Sequence, residues 1–401
     1  MKVLQINTVY GEGSTGRIVK GIYEACLRSD IDSICAYRCS RNGIEHGAHT
    51  VEISSKFDSR LHGFFARATM FKGCFSYFKT RKFLKKVEEY SPDIIHLHNL
   101  HGSYVNIPLI FKHIKKNHIP VVWTLHDCWP FTAICPHFQI AKCDKWKQGC
   151  NNCPQRKKYS SSAVDFTAKV WKLKKKWFSG VENLTIVTPS IWLSELVKES
   201  FLNEYPVRVV YNGIDTEVFR PVSSDFRFKN HLENKKIILG VAFDWGYAKG
   251  LDVFVELSRR LPNDYSIVLV GTNETVEANL PEDIISIRRT NNQKELAEIY
   301  SAADVFVNPT REEVLGLVNL EALSCGTPVI TFNAGGSPEC IDDTCGSVVD
   351  IDDIDSLEIE IKRICCEKPY SIENCVLRAN TFSYDKKLEE YIEIYKHYFS
   401  P

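Results

Sequence analysis

The chain predicts an α/β protein made of two doubly wound parallel-sheet domains facing a cleft. Three observations carry this. Short apolar runs alternate with helical patterns from end to end. The runs are apolar at nearly every position, as strands buried on both faces are. The pattern then restarts near residue 235, after the polar stretch RPVSSDFRFKNHLENKK, which reads as the linker. In the first half KVLQINTV, DIIHLHNL, PVVWTLHD, LTIVTPS and VRVVYNGI read as strands; in the second KIILGVAF, YSIVLVGT, DVFVNPT and TPVITFN do. The tail YDKKLEEYIEIYKHYF has a helical apolar face. The resulting division is 1–217, 218–384, and a helix at 385–401 expected to pack back on the first domain.

With 401 residues, 44% hydrophobic and 25% charged, the chain has room for well-formed cores and an ordinary soluble composition. Its formal net charge of zero hides an asymmetry. Residues 1–200 hold 30 Lys+Arg against 16 Asp+Glu, a net of +14, so the remainder carries 20 against 34, a net of −14. The basic half is expected to meet something anionic, the alternative being mutual attraction of the two domains. No apolar run approaches the ~18 residues of a membrane span. MKVLQINTVYGEG reads as a buried first strand and not a signal peptide, which predicts a reducing cytoplasm and makes the 15 cysteines thiols or metal ligands.

Three motifs stand at strand ends, where ligands of such sheets bind. NTVYGEGSTGRI places Gly11, Gly13 and Gly16 between the first strand and a helix, permitting close backbone approach to an anion, although such loops also occur without a ligand. It is not the full dinucleotide fingerprint. WGYAKG puts Lys249 at the end of the first strand of the second half, where an ammonium can neutralise a diphosphate. REEVLGLVNLEALSCGTPVI places Glu313 in a loop and Glu321 mid-helix, the helix running over Gly316–Cys325 and stopping at Gly326. Unpaired backbone N–H groups around Leu315 to Val318 would make the helix start an anion site. Two carboxylates beside it suit a ligand with both phosphates and hydroxyls.

Taken together, the glycine loop, TLHD, TPSIWLSELV, YNGIDTEVF, KGLD, and EEVLGLVNLEALSCGTPVI followed by GGSPE resemble the family 4 retaining glycosyltransferases over nearly the whole chain. The resemblance implies the GT-B architecture of two Rossmann-like domains and a nucleotide-sugar donor, a UDP- or GDP-sugar. It implies that Glu321 accepts the donor ribose hydroxyls and that Glu313 holds the transferred sugar and steadies positive charge as the glycosidic bond breaks. The backbone at Leu315, Gly316 and Leu317, with Lys249 and the Gly16 loop, would hold the diphosphate. Arg289 and Thr290 would read the base, and His126 would face the donor sugar, its alternative being a satisfied strand-end histidine. The family's arginine shortly before the lysine is missing, since Asp244 and Ala248 stand at the candidate positions. No cofactor is implied for catalysis. The acceptor expected from the family is a glycan, lipid-linked, in bacterial capsule, exopolysaccharide or O-antigen synthesis.

Cys135, Cys143, Cys150 and Cys153 form C-x7-C-x6-C-x2-C within a cysteine-rich loop at 128–153. This is a spacing for a structural zinc, with metal-free thiols as the alternative and Cys128 and His137 as spare ligands. Residues 56–86 mix Phe and Tyr with nine basic residues and one acid, and KVWKLKKKWF at 169–178 repeats that chemistry. Both are expected to dock on an anionic membrane surface, as a peripheral protein at the inner face of the cell membrane. The competing reading is a basic helix with its aromatics packed inward. Two other functions compete: a basic zinc-loop nucleic-acid binder, which leaves Lys249, Glu313 and Glu321 without a purpose, and a nucleotide-sugar epimerase of the same fold. No nucleic-acid motif is present, so no nucleic-acid partner is expected.

Overall fold

The structure is a computed structural model that describes residues 1–39 and 47–399. The chain forms two compact units, Met1–Val210 with the chain from Leu388 on, and Tyr211–Lys387. Among the described residues the first unit carries β1 (Lys2–Asn7), β2 (Asp32–Tyr37), β3 (Thr50–Glu52), β4 (Ile94–Leu97), β5 (Val121–Thr124), β6 (Leu184–Thr188) and β7 (Val207–Val209). They form one sheet in the order β3-β2-β1-β4-β5-β6-β7, every pairing parallel. The second unit carries β8 (Lys236–Val241), β9 (Tyr265–Val270), β10 (Ile284–Ile287), β11 (Val305–Asn308), β12 (Val329–Phe332) and β13 (Gly346–Val349). These too are all parallel, in the order β10-β9-β8-β11-β12-β13. Each unit is thus a parallel α/β sheet, as the sequence predicts.

The sheets show why the strand segments are apolar throughout. In β8, Ile237 and Leu239 enter the core on one face of the sheet, while Ile238 enters the core on the other; Val268 and Leu269 of β9 divide in the same way. Helices cover both faces, so each such side chain removed from water contributes about 1.5–3 kcal/mol. Strands β2, β3, β10 and β13 escaped the sequence reading because they lack that signature. β2 is DSICAY with two cysteine-or-serine positions inside, β10 is a half-buried edge, and β13 opens on Gly346.

The stretch expected as a linker belongs to the second unit. Arg227 donates to Ala302 O at 2.9 Å and to Lys235 O at 2.7 Å, and pairs with Asp304 at 2.6 Å. Upstream of it, Ile214 and Phe219 are buried in the second core. The units therefore part at Val210/Tyr211, where the sequence reading placed 217/218. The last helix, Tyr384–His397, joins the first unit from Leu388 on. Its Tyr395 hydroxyl bonds His96 Nδ1 at 2.5 Å and Tyr398 bonds Val121 O at 3.1 Å.

Candidate active site

In each sheet the strand order reverses beside the first strand, at β1/β4 in the first unit and β8/β11 in the second. Loops leaving the carboxyl ends of those strands diverge there and open a crevice. The second unit builds its crevice from two segments that approach closely. After β8 the chain turns through Tyr247–Lys249 to Gly250, which has φ +71° and lies so near Pro309 that an added Cβ would sit 2.4 Å from its carbonyl oxygen. That closeness brings Lys249 Nζ within 2.7 Å of Glu313 Oε2, while Glu313 Oε1 accepts the Val314 N–H at 3.0 Å. Both side chains are partly open to solvent, at 33% and 22% exposure, so each can exchange its partner for a ligand. Gly335, at φ +59°, lies behind them; a Cβ there would fall 1.8 Å from Glu313 O, which fixes glycine at that point of GGSPE.

The helix after Glu313 runs Leu317–Ser324, entered through Gly316 at φ +88° and closed by Gly326 at φ +83°, whose N–H donates to Leu323 O at 2.9 Å. The N–H groups of Leu315, Gly316, Leu317 and Val318 donate to no acceptor among the described residues. Glu321 stands one turn further along, half-buried, its Oε2 taking the Tyr300 hydroxyl at 3.0 Å. Burial, with the nearby Glu321 charge, pushes the Tyr300 phenol well up, so it stays a donor to the carboxylate. Beneath the loop Asn308 donates to Asn319 at 2.8 Å, Asn319 to Ser337 Oγ at 2.9 Å, and Ser337 meets Thr331 at 2.6 Å, a buried polar network that holds its shape. Arg289, exposed, and Thr290, half-buried, follow β10 at the same edge of the sheet. Thus Lys249, Glu313, Leu315, Gly316, Leu317, Glu321, Arg289 and Thr290 all lie at the carboxyl edge of one sheet.

Arg311 was not singled out from the sequence. It is 6% exposed, donates twice to Asp252 at 2.8 Å and to Asp352 at 2.8 Å, and lies over the Tyr247 ring at 3.9 Å. It bonds the Lys249 turn to the Glu313 loop. Its donors are committed to two aspartates, so it does not stand in for the missing arginine at Asp244 and Ala248. The signal available was its place immediately before Glu312 and Glu313.

The first unit's crevice is different in kind. The glycine loop closes on itself, Gly11 N–H donating to Gly16 O at 2.9 Å, with Gly11 at φ +69° and Gly13 at φ +64°. A Cβ at Gly16 would press on Gly11 N at 3.2 Å, so that glycine serves the packing of the loop. His126, just past β5, lies parallel to His98, just past β4, centroids 5.4 Å apart, with Nε2 3.1 Å from His98 Nδ1. His96 is next to His98 at 4.0 Å and reaches Thr124 at 2.8 Å. Burial drives all three pKa values down, His126 to about 4, so the stack is neutral near pH 7. Beside it Asp127 takes the Trp129 N–H at 2.8 Å and faces His101 at 3.3 Å. Burial raises the Asp127 carboxyl, but His101 and the backbone donor outweigh it and hold it down at about 2.

The four candidate zinc cysteines line one small cavity of about 20 Å3 beneath Phe138 and Trp146. Cys135 and Cys153 share a hydrogen bond that raises the first thiol and leaves the second the more acidic. Among the described residues no group of three or more His, Cys, Asp or Glu side chains is gathered tightly enough to hold a metal ion. The loop is tied down by Lys174, fully buried, whose ammonium donates to Thr132 O at 2.8 Å and to Trp129 O, and lies 3.3 Å from the Trp129 ring centroid. This corrects the reading of 169–178 as a membrane patch. In the Thr167–Phe178 helix Trp171 and Phe178 are buried with Lys174, and only the other lysines face out. The Lys56–Thr69 helix does the opposite, exposing Phe57, Leu61, Phe64 and Phe65. No described helix is long and apolar enough to cross a membrane.

Comparison with known proteins bears on both units. Residues 39–218 match the family described as Glycosyltransferase Family 4, and residues 222–381 match Glycosyl transferases group 1. The chain is 24% identical over 372 residues to WcaC of Escherichia coli (strain K12), assigned as a colanic acid biosynthesis glycosyl transferase, covering 88% of each chain. It is 32% identical over 191 residues to alpha-maltose-1-phosphate synthase of Mycobacterium tuberculosis (strain ATCC 25618 / H37Rv), covering 40% of this chain and 48% of that one. In fold it resembles sucrose-phosphate synthase from Thermosynechococcus elongatus, with a TM-score of 0.72, 18% identity and 99% of each chain covered. It also resembles Anabaena HepE in complex with UDP, with a TM-score of 0.69, 14% identity, and 99% and 100% covered. With both units matched and the glutamates, lysine and helix start assembled at one switch point, the chain belongs to the family 4 glycosyltransferases and is a transferase of the GT-B type.

Proposed function

We propose that the protein is a retaining glycosyltransferase that moves a hexose from a nucleoside diphosphate donor to a lipid-linked glycan acceptor in surface polysaccharide synthesis. The observation that carries this is the Lys249–Glu313 pair, 2.7 Å apart at the β8/β11 switch point, beside the unpaired N–H groups of Leu315 to Val318. A diphosphate entering there takes the ammonium and the N–H groups, which stabilise the leaving group as the sugar bond breaks. Glu313, released from Lys249, then faces the sugar hydroxyls and the developing positive charge. Glu321, preset by Tyr300, accepts the ribose diol, because a carboxylate offers two acceptor oxygens to two hydroxyls. Arg289 and Thr290 contact the base, and His126 supplies a neutral imidazole toward the donor sugar. HepE structures hold UDP and UDP-glucose, which supports a UDP-sugar, and WcaC supports polysaccharide synthesis. Retention of configuration is carried over from the family.

The exposed Phe57, Leu61 and Phe64, on one face of a helix with basic neighbours, support peripheral attachment to the inner face of an anionic membrane. Cys135, Cys143, Cys150 and Cys153 line one cavity and are the residues that would hold a structural zinc; metal analysis of protein purified without chelator is expected to find about one zinc per chain. The donor reading is tested by thermal shift with UDP-, GDP-, ADP- and dTDP-sugars. One nucleotide class should raise the melting temperature of the wild type and fail to do so in Glu321→Ala. A set in which none stabilises the wild type would end it.

A further inference from the structure

Two hollows in the first unit adjoin at Gly63, Gly102 and Ser103, about 450 Å3 and 340 Å3 in volume. One is lined by Arg38, Lys56 and Arg60, the other by Arg67, Lys72 and Lys158. Among the described residues no aspartate or glutamate lines either. The arrangement follows from the Lys56–Thr69 helix. Positions 56, 60, 63 and 67 recur at helical spacing and form one stripe. Gly63 at its centre leaves room where a side chain would fill the saddle between the hollows. The adjacent stripe is the exposed apolar one, Phe57, Leu61 and Phe64.

Lys56, Arg60, Arg67 and Lys158 are exposed, whereas Arg38 and Lys72 are half-buried. Arg38 Nε is buried without a hydrogen-bond partner. The half-buried Lys72 ammonium, and the Arg60 and Arg67 guanidinium groups, make no ion pair or hydrogen bond among the described residues. Burial lowers the Lys72 pKa and the neighbouring Arg67 charge adds to this, with the Asp127 charge opposing them. The position is equally informative. His101 lines the second hollow and pairs with Asp127, the residue after His126, so the hollows open beside the first unit's switch point.

We propose that this double hollow binds a phosphate or diphosphate ester carried by the acceptor. Calling the anion part of the acceptor rests on the glycosyltransferase reading above; the anion site itself rests on the cations. Several cations converging on hollows that no described acid lines suit a multiply charged oxyanion, and planar guanidinium groups bind its oxygens in pairs. A diphosphate seated there leaves its organic group at the apolar stripe of the same helix. An acceptor anchored in a membrane would thus present its head to His126 while its chain stays in the lipid.

The test is calorimetric titration of the full chain with inorganic pyrophosphate in the presence of saturating UDP. Wild type should bind pyrophosphate under these conditions, and Arg38→Gln/Lys72→Gln should bind at least tenfold more weakly, while Lys175→Gln, an exposed cation of the same unit outside the hollows, remains unaffected. Arg60→Gln/Arg67→Gln, at exposed positions, gives the same readout with little risk to folding. Farnesyl diphosphate binding tenfold tighter than pyrophosphate supports a lipid-linked source, and equal binding supports a free phosphate ester. Pyrophosphate affinity equal in wild type and both double variants overturns the site. UDP binding is read in the same samples: its absence alongside retained pyrophosphate binding sinks the donor reading and leaves this one standing.

Discussion

The two units use one topology and put opposite electrostatics at its crevice. At β8/β11 the groups are charged and partly exposed: Lys249 paired to Glu313, Glu321 held by a tyrosine, and a helix start with open N–H groups. At β1/β4 they are neutral and buried, three histidines in a row with His98 Nε2 left without a hydrogen-bond partner and a closed glycine loop beside them. The two crevices differ in what a mutation is expected to do. In the first a substitution removes ligand binding or turnover. In the second it is expected to cost stability as well, because the histidine stack is buried.

The largest expected effect breaks the charged crevice. Glu313→Gln keeps the shape but removes the charge facing the sugar, and turnover should fall roughly 100-fold or more, with donor affinity changing little. Donor affinity measured by calorimetry alongside initial rates checks the split; unchanged turnover would remove Glu313 from the chemistry. Next in size is Lys174→Glu in the first unit. It places a carboxylate against the carbonyls of Trp129 and Thr132, and an unpaired buried charge costs about 3–5 kcal/mol. Lys175→Glu/Lys176→Glu, on exposed positions of the same helix, should change the melting temperature little. Equal melting temperatures for the two variants would contradict the burial of Lys174.

The neutral histidine stack predicts the pH behaviour. A histidine whose folded pKa is depressed takes up its proton only on unfolding, so its contribution is fully present above about pH 6.5 and is lost as pH falls toward 4. His126 and His62, both lowered to about 4 chiefly by burial, act in that window, with His96 and His98. Melting temperature should drop between pH 7 and pH 5, and His126→Asn should shallow that drop. An identical slope in the variant would show that His126 does not contribute. The smallest effect concerns the membrane. Phe57→Ser/Phe64→Ser should weaken retention on anionic liposomes without altering the melting temperature, and Lys175→Glu/Lys176→Glu should matter less, since that helix presents no apolar side to the lipid. Cosedimentation with vesicles, at low and high salt, measures both.

Those two helices show where sequence reading reached its limit. Residues 56–69 and 167–178 look alike as strings, lysines and arginines among phenylalanines and tryptophans, and both were read as membrane patches. Composition counts side chains but does not say which face is covered. In one helix the aromatics face out and the cations line a hollow; in the other Trp171, Lys174 and Phe178 face in. Lys174 was the least legible, because its burial depends on two carbonyls and an indole presented by a loop some forty residues earlier in the chain.

By itself the sequence determined the parallel α/β class, the strands buried on both faces, the helix from Gly316 to its glycine stop, and the motif residues Lys249, Glu313 and Glu321. These are local: apolar runs, glycine-permitted turns and helix caps are set by a residue and its near neighbours. Only the tertiary structure decided that Lys249 and Glu313, 64 positions apart, meet at 2.7 Å. It also decided that Arg311 is consumed by Asp252 and Asp352, and that the supposed linker is part of the second core. It drew six basic residues from four separate segments around a glycine saddle. Such contacts depend on which strands pair and how closely loops approach, and these follow from packing the whole chain, which no local pattern encodes.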